Sequence, residues 1–138
     1  MTGEYKYSMD NKGRIFIPVK LREELGTNVY MTVSIEKCIF LYSEHDWQFF
    51  SDTVKKLDFS QQQKLRPLFS NASHVKLDSQ GRILVPSNIR KRAGLNKYVA
   101  LVGNNDHAEI WDYDSWSNVK NNEMASLSWS SNEEDMNS

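Results

Sequence analysis

A segment of 17 residues occurs twice in this chain, and the repeat limits what the chain can fold into. Residues 10–26 read DNKGRIFIPVKLREELG, and residues 78–94 read DSQGRILVPSNIRKRAG, at an offset of 68. Seven of the columns are identical, and most of the others keep their polarity. After one inserted residue the match resumes at an offset of 69, where Trp47 aligns with Trp116. Two copies of about 43 residues, 5–47 and 73–116, therefore account for most of the chain.

The size of each copy indicates how the two copies are combined. A unit of about 43 residues buries too little surface to be stable alone, whereas 138 residues with 39% hydrophobic side chains can fill one core. We therefore expect the two copies to complete each other's core within a single domain. The chain is then a covalent pseudo-dimer.

Each copy predicts the same local order of elements, β-turn-β-α-β-β. Alternating apolar residues suit a half-buried strand, and an Asp-x-x-Gly turn then leads into a short apolar strand. Pro18 and Pro86 have a backbone angle that suits the first turn of a helix, and Gly26 and Gly94 suit its end. Leu21 and Leu25, with Ile89 and Ala93 in the second copy, give each short helix an apolar stripe.

The remaining segments read as helical or polar. Ser43 and Asp46 resemble a capping box that starts a helix, and residues 48–72 form a helical connector that Pro67 should kink or end. Residues 117–138 read as a helix end followed by an acidic tail, which we expect to be frayed or disordered, with Trp129 as a loose aromatic residue.

Charge is unevenly distributed along a chain whose net charge is only -1. Residues 72–97 contain six basic residues and one acidic residue, whereas residues 98–138 contain one basic and eight acidic residues. A solvated helix face would explain such a basic segment. The recurrence of arginine at matched turn positions favours a nucleic-acid surface instead. The basic patch comprises Arg82, Arg90, Lys91, Arg92 and Lys97.

The two turns supply the candidate binding residues. Asp10, Gly13, Asp78 and Gly81 form the turns, and Arg14 and Arg82 follow them. A guanidinium group matches the O6 and N7 acceptors of guanine, so both arginines can read base edges in the major groove. Two residues earlier, Lys12 and Gln80 are placed to contact phosphate or a neighbouring base.

A structural alternative exists for these arginines. Arg14 and Arg82 could instead pair with the aspartates that begin their turns, at ~0 to 1 kcal/mol for exposed pairs. Spacing alone slightly favours this alternative. For Arg22 and Arg90, on the short helices, an ion pair with a turn aspartate is the stronger interpretation, so neither is a candidate site residue.

The doubled D-x-x-G-R-I-x-Φ-P-x-x-Φ-R pattern, where Φ is aliphatic, resembles the MraZ family of bacterial transcriptional regulators and covers most of the chain. The resemblance implies an α+β fold: a swapped-hairpin, AbrB-like β-barrel of two interleaved repeats with flanking helices. It also implies a homo-oligomeric ring that binds repeated G-rich promoter boxes on double-stranded DNA, upstream of the division and cell-wall gene cluster, and associates with the nucleoid. The DNA-reading turns fall on residues 10–14 and 78–82.

This sequence departs from a uniformly basic version of that pattern. Gln80 stands where the first copy has Lys12, and residues 23 and 24 are glutamates where the second copy has Lys91 and Arg92. The two repeats can therefore contribute unequally to binding.

Energetics also favour an oligomer. A bidentate contact between arginine and guanine supplies ~1 to 3 kcal/mol of discrimination, whereas micromolar affinity needs about 8 kcal/mol. Several chains on regularly spaced boxes gain affinity through effective concentration. We therefore expect neither one box nor one protomer to bind tightly.

Other functional classes find less support. An AbrB-like antitoxin, or another module that binds a protein partner, is the main alternative, with the acidic tail as its binding arm. Catalysis is not expected, because the sequence shows no nucleophile beside a base, no metal-ligand spacing and no phosphate-binding loop. We expect no cofactor, no small-molecule substrate and no membrane span, a core role for Cys38, and a cytoplasmic location because residues 1–14 lack the pattern of a secretory signal.

Overall fold

The computed structural model describes the backbone of residues 1–137 and the side chains of residues 1–127. It contains eight strands and five helices in this part of the chain. The strands are β1 Glu4–Ser8, β2 Arg14–Phe16, β3 Asn28–Val33, β4 Ile39–Ser43, β5 Ser73–Lys76, β6 Arg82–Leu84, β7 Tyr98–Asn104 and β8 His107–Asp112. The helices are α1 Val19–Leu25, α2 Glu44–Lys55, α3 Phe59–Ser70, α4 Ser87–Arg92 and α5 Tyr113–Asn137.

Both copies have the order of elements that the repeat predicts. In each copy two strands flank a turn, a short helix follows, and two further strands form a hairpin. Pro18 and Pro86 lie immediately before α1 and α4, in extended backbone, rather than inside the first turn. Gly26 and Gly94 follow the helices with φ of 75° and 62°, a region that glycine enters without steric cost.

The strands pair between the repeats. Strand β1 of the first copy hydrogen-bonds to β7 of the second, and β5 of the second copy hydrogen-bonds to β3 of the first. The equivalent strands β2 and β6 pair with each other as a two-stranded ribbon, with Ile15 opposite Ile83. Each copy therefore supplies a strand that pairs with the hairpin of the other copy, so neither copy has its own complete set of backbone partners.

The fold is α+β, as predicted, with an antiparallel six-stranded sheet in the order β1-β7-β8-β4-β3-β5. The closed barrel is not found in the part of the chain described here, because the edge strands β1 and β5 do not pair with each other. The ribbon of β2 and β6 is a separate sheet, since its two strands, of three residues each, use their hydrogen bonds on one another. The closed-barrel expectation is therefore corrected to an open sheet with a ribbon.

One hydrophobic core draws on both copies. Ile15 and Ile83 of the ribbon are completely buried, and they share a cluster with residues of the six-stranded sheet. The predicted helix stripes, Leu21 with Leu25 and Ile89 with Ala93, are also buried in this cluster. Cys38 is buried in a second, smaller cluster beneath α5, which confirms its expected core role. The two copies thus complete each other's core, as expected.

The helices outside the repeats pack against the far side of the sheet. The N-cap half of the expected capping box is present, because the Ser43 Oγ accepts a hydrogen bond from the Asp46 backbone N–H at 3.1 Å. Trp47 of α2 stacks on Tyr30 of β3 and packs against Phe69 of α3. Pro67 lies inside α3 without ending it there; the helix continues to Ser70 because only its last turn is affected.

Helix α5 is longer than the sequence suggests. Its backbone is helical to Asn137, where the sequence predicts a frayed or disordered tail. No glycine or proline occurs after residue 113 to break the helix. The prediction for Trp129 lies outside the residues whose side chains are described. No helix in the described part of the chain is long and apolar enough to cross a membrane.

Candidate nucleic-acid interface

The two Asp-x-x-Gly turns lie at opposite ends of the β2–β6 ribbon. Each turn is closed by a backbone hydrogen bond of 3.0 Å, from Gly13 to the Asp10 carbonyl and from Gly81 to the Asp78 carbonyl. Both glycines have positive φ, 85° and 76°, which explains why glycine occupies the fourth position. The Gly13 carbonyl accepts from the Val85 N–H, so the turn is also tied to the opposite strand of the ribbon.

Each aspartate holds the arginine that follows its turn. The Asp10 Oδ1 accepts hydrogen bonds from the backbone N–H groups of Lys12 and Arg14, and its Oδ2 accepts from the Arg14 Nε at 2.6 Å. Asp78 makes the same three contacts with Gln80 and Arg82, and its bond to the Arg82 Nε is 2.9 Å. The ion pairs that the structural alternative expects are therefore present.

These hydrogen bonds change the acidity of the turn aspartates. The backbone N–H of Arg14 is the main reason that the pKa of Asp10 falls to about 2, and the Arg14 side chain and the Lys12 N–H add to it. The pKa of Asp78 is lowered in the same way, first by the N–H of Arg82. Both carboxylates are thus charged at neutral pH, as a fixed brace for a guanidinium group requires.

Both arginines lie on the outward face of the ribbon. The intervening Ile15 and Ile83 are buried, so strand alternation places Arg14 and Arg82 on the opposite face, 32% and 28% exposed. The Arg82 Nη1 is also 4.0 Å from the Oδ2 of Asp10, across the two repeats. The structure thus joins the two turns into one continuous surface.

The bracing leaves the ends of the guanidinium groups available for recognition. The described hydrogen bond of each arginine to its own aspartate uses Nε, whereas a bidentate contact to guanine O6 and N7 can use the two Nη groups. Lys12 and Gln80 are exposed on the turns. A pre-oriented arginine loses less side-chain entropy on binding, so an aspartate brace is compatible with base reading.

Arg22 and Arg90 are the residues whose position the sequence did not indicate. Neither forms the expected ion pair with a turn aspartate among the described contacts, so that interpretation is wrong. Instead, Arg90 of α4 packs against Gly13, and Arg22 of α1 packs against Gly81 and the ring of Phe16. The strand exchange causes this, because it places each helix beside the turn of the other repeat.

Further basic residues surround the first turn. The Met9 N–H donates to the Lys97 carbonyl at 2.7 Å, which places Lys97 beside the start of that turn. Lys91 lines one surface pocket together with Met9 and Arg90. The predicted basic patch on the second copy therefore adjoins the turn of the first copy.

The described part of the structure contains no candidate metal centre. No group of three or more histidine, cysteine, aspartate or glutamate residues there could hold a metal ion. Burial raises the pKa of the Cys38 thiol to about 12, which removes its nucleophilic form at neutral pH. Asp112 accepts from the Ser115 N–H at the start of α5, as expected for an aspartate that begins a helix.

Comparison with known proteins gives consistent matches over nearly the whole chain. A family model described as "MraZ protein, putative antitoxin-like" matches residues 1–66 and 68–137. A protein of Carboxydothermus hydrogenoformans named "Transcriptional regulator MraZ" is 37% identical over 126 residues, which is 89% of this chain and 88% of that protein.

Two further relatives carry the same name. The protein of Syntrophomonas wolfei is 38% identical over 127 residues, 90% of this chain and 89% of its own length. That of Alkaliphilus metalliredigens is 38% identical over 130 residues, 92% and 90% of the two chains. The similarity thus spans both copies of the repeat.

Proposed function

This chain belongs to the MraZ family, and from that premise we propose that it regulates transcription by binding double-stranded DNA in a sequence-specific manner. Its relatives are named as transcriptional regulators, and not as enzymes. That naming is in line with the expectation that this chain is not an enzyme. The proposal concerns how its own residues would perform such a role.

The observation that carries the proposal is the pair of braced arginines on one outward surface. Arg14 and Arg82 each hydrogen-bond through Nε to a carboxylate at the start of the same turn, and the Arg82 Nη1 approaches Asp10 as well. Such bracing fixes the direction of the guanidinium groups before DNA arrives. In this proposal both arginines read guanine edges, and Lys12 and Gln80 contact phosphate or a neighbouring base.

The proposed target is a set of repeated G-rich promoter boxes upstream of the division and cell-wall gene cluster. The proposed binding form is a homo-oligomeric ring, because two arginine contacts of ~1 to 3 kcal/mol each fall short of the 8 kcal/mol of micromolar binding. Several protomers on neighbouring boxes would supply the missing affinity. The protein would then be cytoplasmic and associated with the nucleoid.

The proposed fold in that assembly is the swapped-hairpin, AbrB-like arrangement. It is supported by the reciprocal pairing of β1 with β7 and of β5 with β3, and by the self-pairing of the equivalent strands β2 and β6. An approximate two-fold axis that passes between Ile15 and Ile83 follows from this pairing. Such symmetry would present both turns to one face of a duplex.

A mobility-shift experiment on the DNA immediately upstream of the chain's own coding region tests the proposal. The number of G-rich boxes is varied from one to four, a scrambled duplex serves as the control, and light scattering gives the mass of the protein. We expect weak binding to one box and a steep gain with each added box. Equal binding to the scrambled duplex would contradict sequence-specific recognition.

A second candidate is a module that binds a protein partner, favoured by the words "antitoxin-like" in the description of the matching family. The same experiment separates the two, because a module of that kind needs its partner. Sequence-selective binding by the purified protein alone would support the regulator and oppose this second candidate.

A further inference from the structure

The strand exchange combines each turn with the helix of the other repeat. The first turn, Asp10–Arg14, contacts α4: a Cβ atom on Gly13 would lie 2.8 Å from the Cζ of Arg90. The second turn, Asp78–Arg82, contacts α1 in the same way through Arg22. We call the first combination the turn-1 end of the interface and the second the turn-2 end.

Because of this combination, basic residues that differ between the repeats gather at the turn-1 end, and their neutral or acidic counterparts lie at the turn-2 end. Lys12 lies at the turn-1 end, and its counterpart Gln80 lies at the turn-2 end. The basic residues Lys91 and Arg92 lie on α4, at the turn-1 end, whereas their counterparts Glu23 and Glu24 lie on α1. Without the strand exchange, Lys12 would lie beside Glu23 and Glu24 of its own repeat, and the charges at each end would be closer to balance.

A backbone contact extends the difference to the loops that follow the helices. The carbonyl of Lys97 accepts from Met9 at the turn-1 end, and the carbonyl of Thr27 accepts from Leu77 at the turn-2 end, so these two residues are structural counterparts. Lys20 and Lys76 offset the trend at the turn-2 end, and Asp112 and Asp114, which line a pocket together with Lys97, offset it at the turn-1 end. The differing charged residues include Lys6, Lys12, Lys91, Arg92 and Lys97 with Asp112 and Asp114 at the turn-1 end, and Lys20, Glu23, Glu24 and Lys76 at the turn-2 end.

We infer that the two ends of the interface have different roles: the turn-1 end holds the DNA phosphates, and the turn-2 end contributes base reading through Arg82 with little phosphate contact. This inference rests on the proposed function. The two ends of one protomer's interface are then unlike, so that a protomer binds a box in one direction only. The exposed side chains of Lys12, Lys91 and Lys97 form the phosphate-binding part.

Physical chemistry supports this division. Each cation that neutralises a phosphate releases condensed counterions, so affinity at the turn-1 end depends steeply on salt. A glutamate near a phosphate instead repels it and must be screened. Recognition of base edges depends on hydrogen-bond geometry rather than on net positive charge. At the turn-2 end the hydrogen bond from Arg82 to Asp78 supplies that geometry.

Paired alanine variants test the division with the full-length protein. The first carries Lys91→Ala and Lys97→Ala, and the second carries Glu23→Ala and Thr27→Ala at the equivalent positions. Dissociation constants are measured by fluorescence anisotropy on a duplex with two G-rich boxes, between 50 and 300 mM KCl. Each bound protomer loses two phosphate contacts, so the log–log salt slope should flatten by about 1.8 for each occupied box, and binding should weaken about 60-fold per occupied box at 0.1 M salt.

The second variant should keep the wild-type slope and bind at least as tightly, because it loses one acidic residue. Equal changes of slope in the two variants, or an unchanged slope in the first, would overturn the inference. Circular dichroism and light scattering confirm that both variants fold and assemble, and all four positions are exposed.

Cross-linking provides a second test that changes no charge. Asn11→Cys and Ser79→Cys place a thiol at equivalent exposed positions of the two turns. The native Cys38 is buried and its pKa is raised to about 12, so it does not compete. With DNA that carries bromoacetyl groups on its phosphates, Asn11→Cys should cross-link in much higher yield. Equal yields, or a higher yield for Ser79→Cys, would contradict the inference.

The two proposals fail in different ways. If the wild-type protein binds the G-rich and scrambled duplexes equally, sequence-specific regulation is contradicted. The salt slopes and cross-link yields on the scrambled duplex still report which end holds phosphates. If binding is selective but both ends give equal slopes and yields, only the division of roles is overturned.

Discussion

The guanidinium group of Arg22 lies against Gly81 of the other repeat, so closely that a Cβ atom on that glycine would be 2.5 Å from Nη1. Arg90 lies against Gly13 in the equivalent position. The Nε atoms of both arginines are buried without a described hydrogen-bond partner. The two repeats are thus interlocked at the turns as well as through their strands, and the turns depend on that packing.

Replacement of Gly13 by alanine should therefore destabilise the fold more than replacement of Gly94. Both glycines have positive φ, at 85° and 62°, but a Cβ on Gly13 would also lie 2.9 Å from the Val85 backbone oxygen, whereas Gly94 faces open space. Backbone strain costs about 1 to 2 kcal/mol at each site, and the overlap should raise the cost of Gly13→Ala to roughly 3 kcal/mol. Urea unfolding measures both, and equal losses would contradict the close packing.

Loss of either braced arginine should weaken DNA binding without changing the fold. Arg14→Ala or Arg82→Ala removes one bidentate contact, worth about 1 to 3 kcal/mol, so affinity for a G-rich duplex should fall roughly five- to 150-fold. Titration by fluorescence anisotropy measures the effect, and circular dichroism and light scattering check fold and mass.

The matched control for these variants is Arg66→Ala, on the exposed surface of α3. It removes the same charge away from both turns, and we expect it to bind with nearly wild-type affinity. Normal binding by Arg14→Ala and Arg82→Ala would show that these arginines serve only to tie the turns together.

The brace itself is tested through the acidity of Asp10. The hydrogen bonds of the turn, first the one from the backbone N–H of Arg14, lower the pKa of Asp10 to about 2 in the folded protein. The carboxylate therefore stabilises the fold fully above the unfolded pKa near 3.9, and this stabilisation is lost as the pH falls towards 2. The carboxyl carbon of Asp10 should therefore titrate near pH 2 in a carbon-13 NMR experiment.

The same measurement on Arg14→Ala provides the control. That variant keeps the backbone N–H donors but loses the guanidinium brace, so the pKa of Asp10 should rise partway towards its ordinary value. A midpoint near 3.9 in the wild-type protein would be inconsistent with the hydrogen bonds of this turn.

Local sequence was sufficient to predict the elements and the turns. The Asp-x-x-Gly turn depends on residues at most four apart, as the bonds from Asp10 to Lys12 and Arg14 show. The stripe of Leu21 and Leu25 likewise follows from the period of a single helix. Information of this kind lies within a few residues of each position.

Relations between the repeats could not be predicted in the same way. The packing of Arg22 against Gly81 depends on the exchange of strands, because it joins residues 59 positions apart that share no pattern. Strands β1 and β5 remain at the edges of the sheet because β2 and β6 pair with each other instead of joining it. No periodicity in the sequence predicts that choice of partners. The unequal charges of the repeats were visible in the sequence, but their distribution over the surface followed only from the exchange.

His107 predicts a pH dependence of stability away from the turns. Its two ring nitrogens lie 2.8 Å from carboxylate oxygens of Asp106 and Glu109, to which the charged imidazole donates. The ring also stacks on Tyr42 and packs at a tilt against Phe40. Burial opposes the charged form, but the two carboxylates prevail and raise the pKa of His107. Burial likewise opposes the charge of Glu109, whose pKa is nevertheless lowered by hydrogen bonds from His107, Trp111 and Asn104.

The sign of the effect follows from these shifts. A raised pKa in the folded state means that the charged imidazole stabilises the fold fully below its unfolded pKa near 6.5, and that this contribution is lost as the pH rises through the folded pKa. The free energy of unfolding should therefore decline from pH 6 to pH 9. His107→Gln cannot carry the charge and should show a flatter profile in urea titrations across that range. Parallel profiles for the two proteins would mean that the carboxylates do not stabilise a charged His107, since Gln lacks a titrating group in this interval.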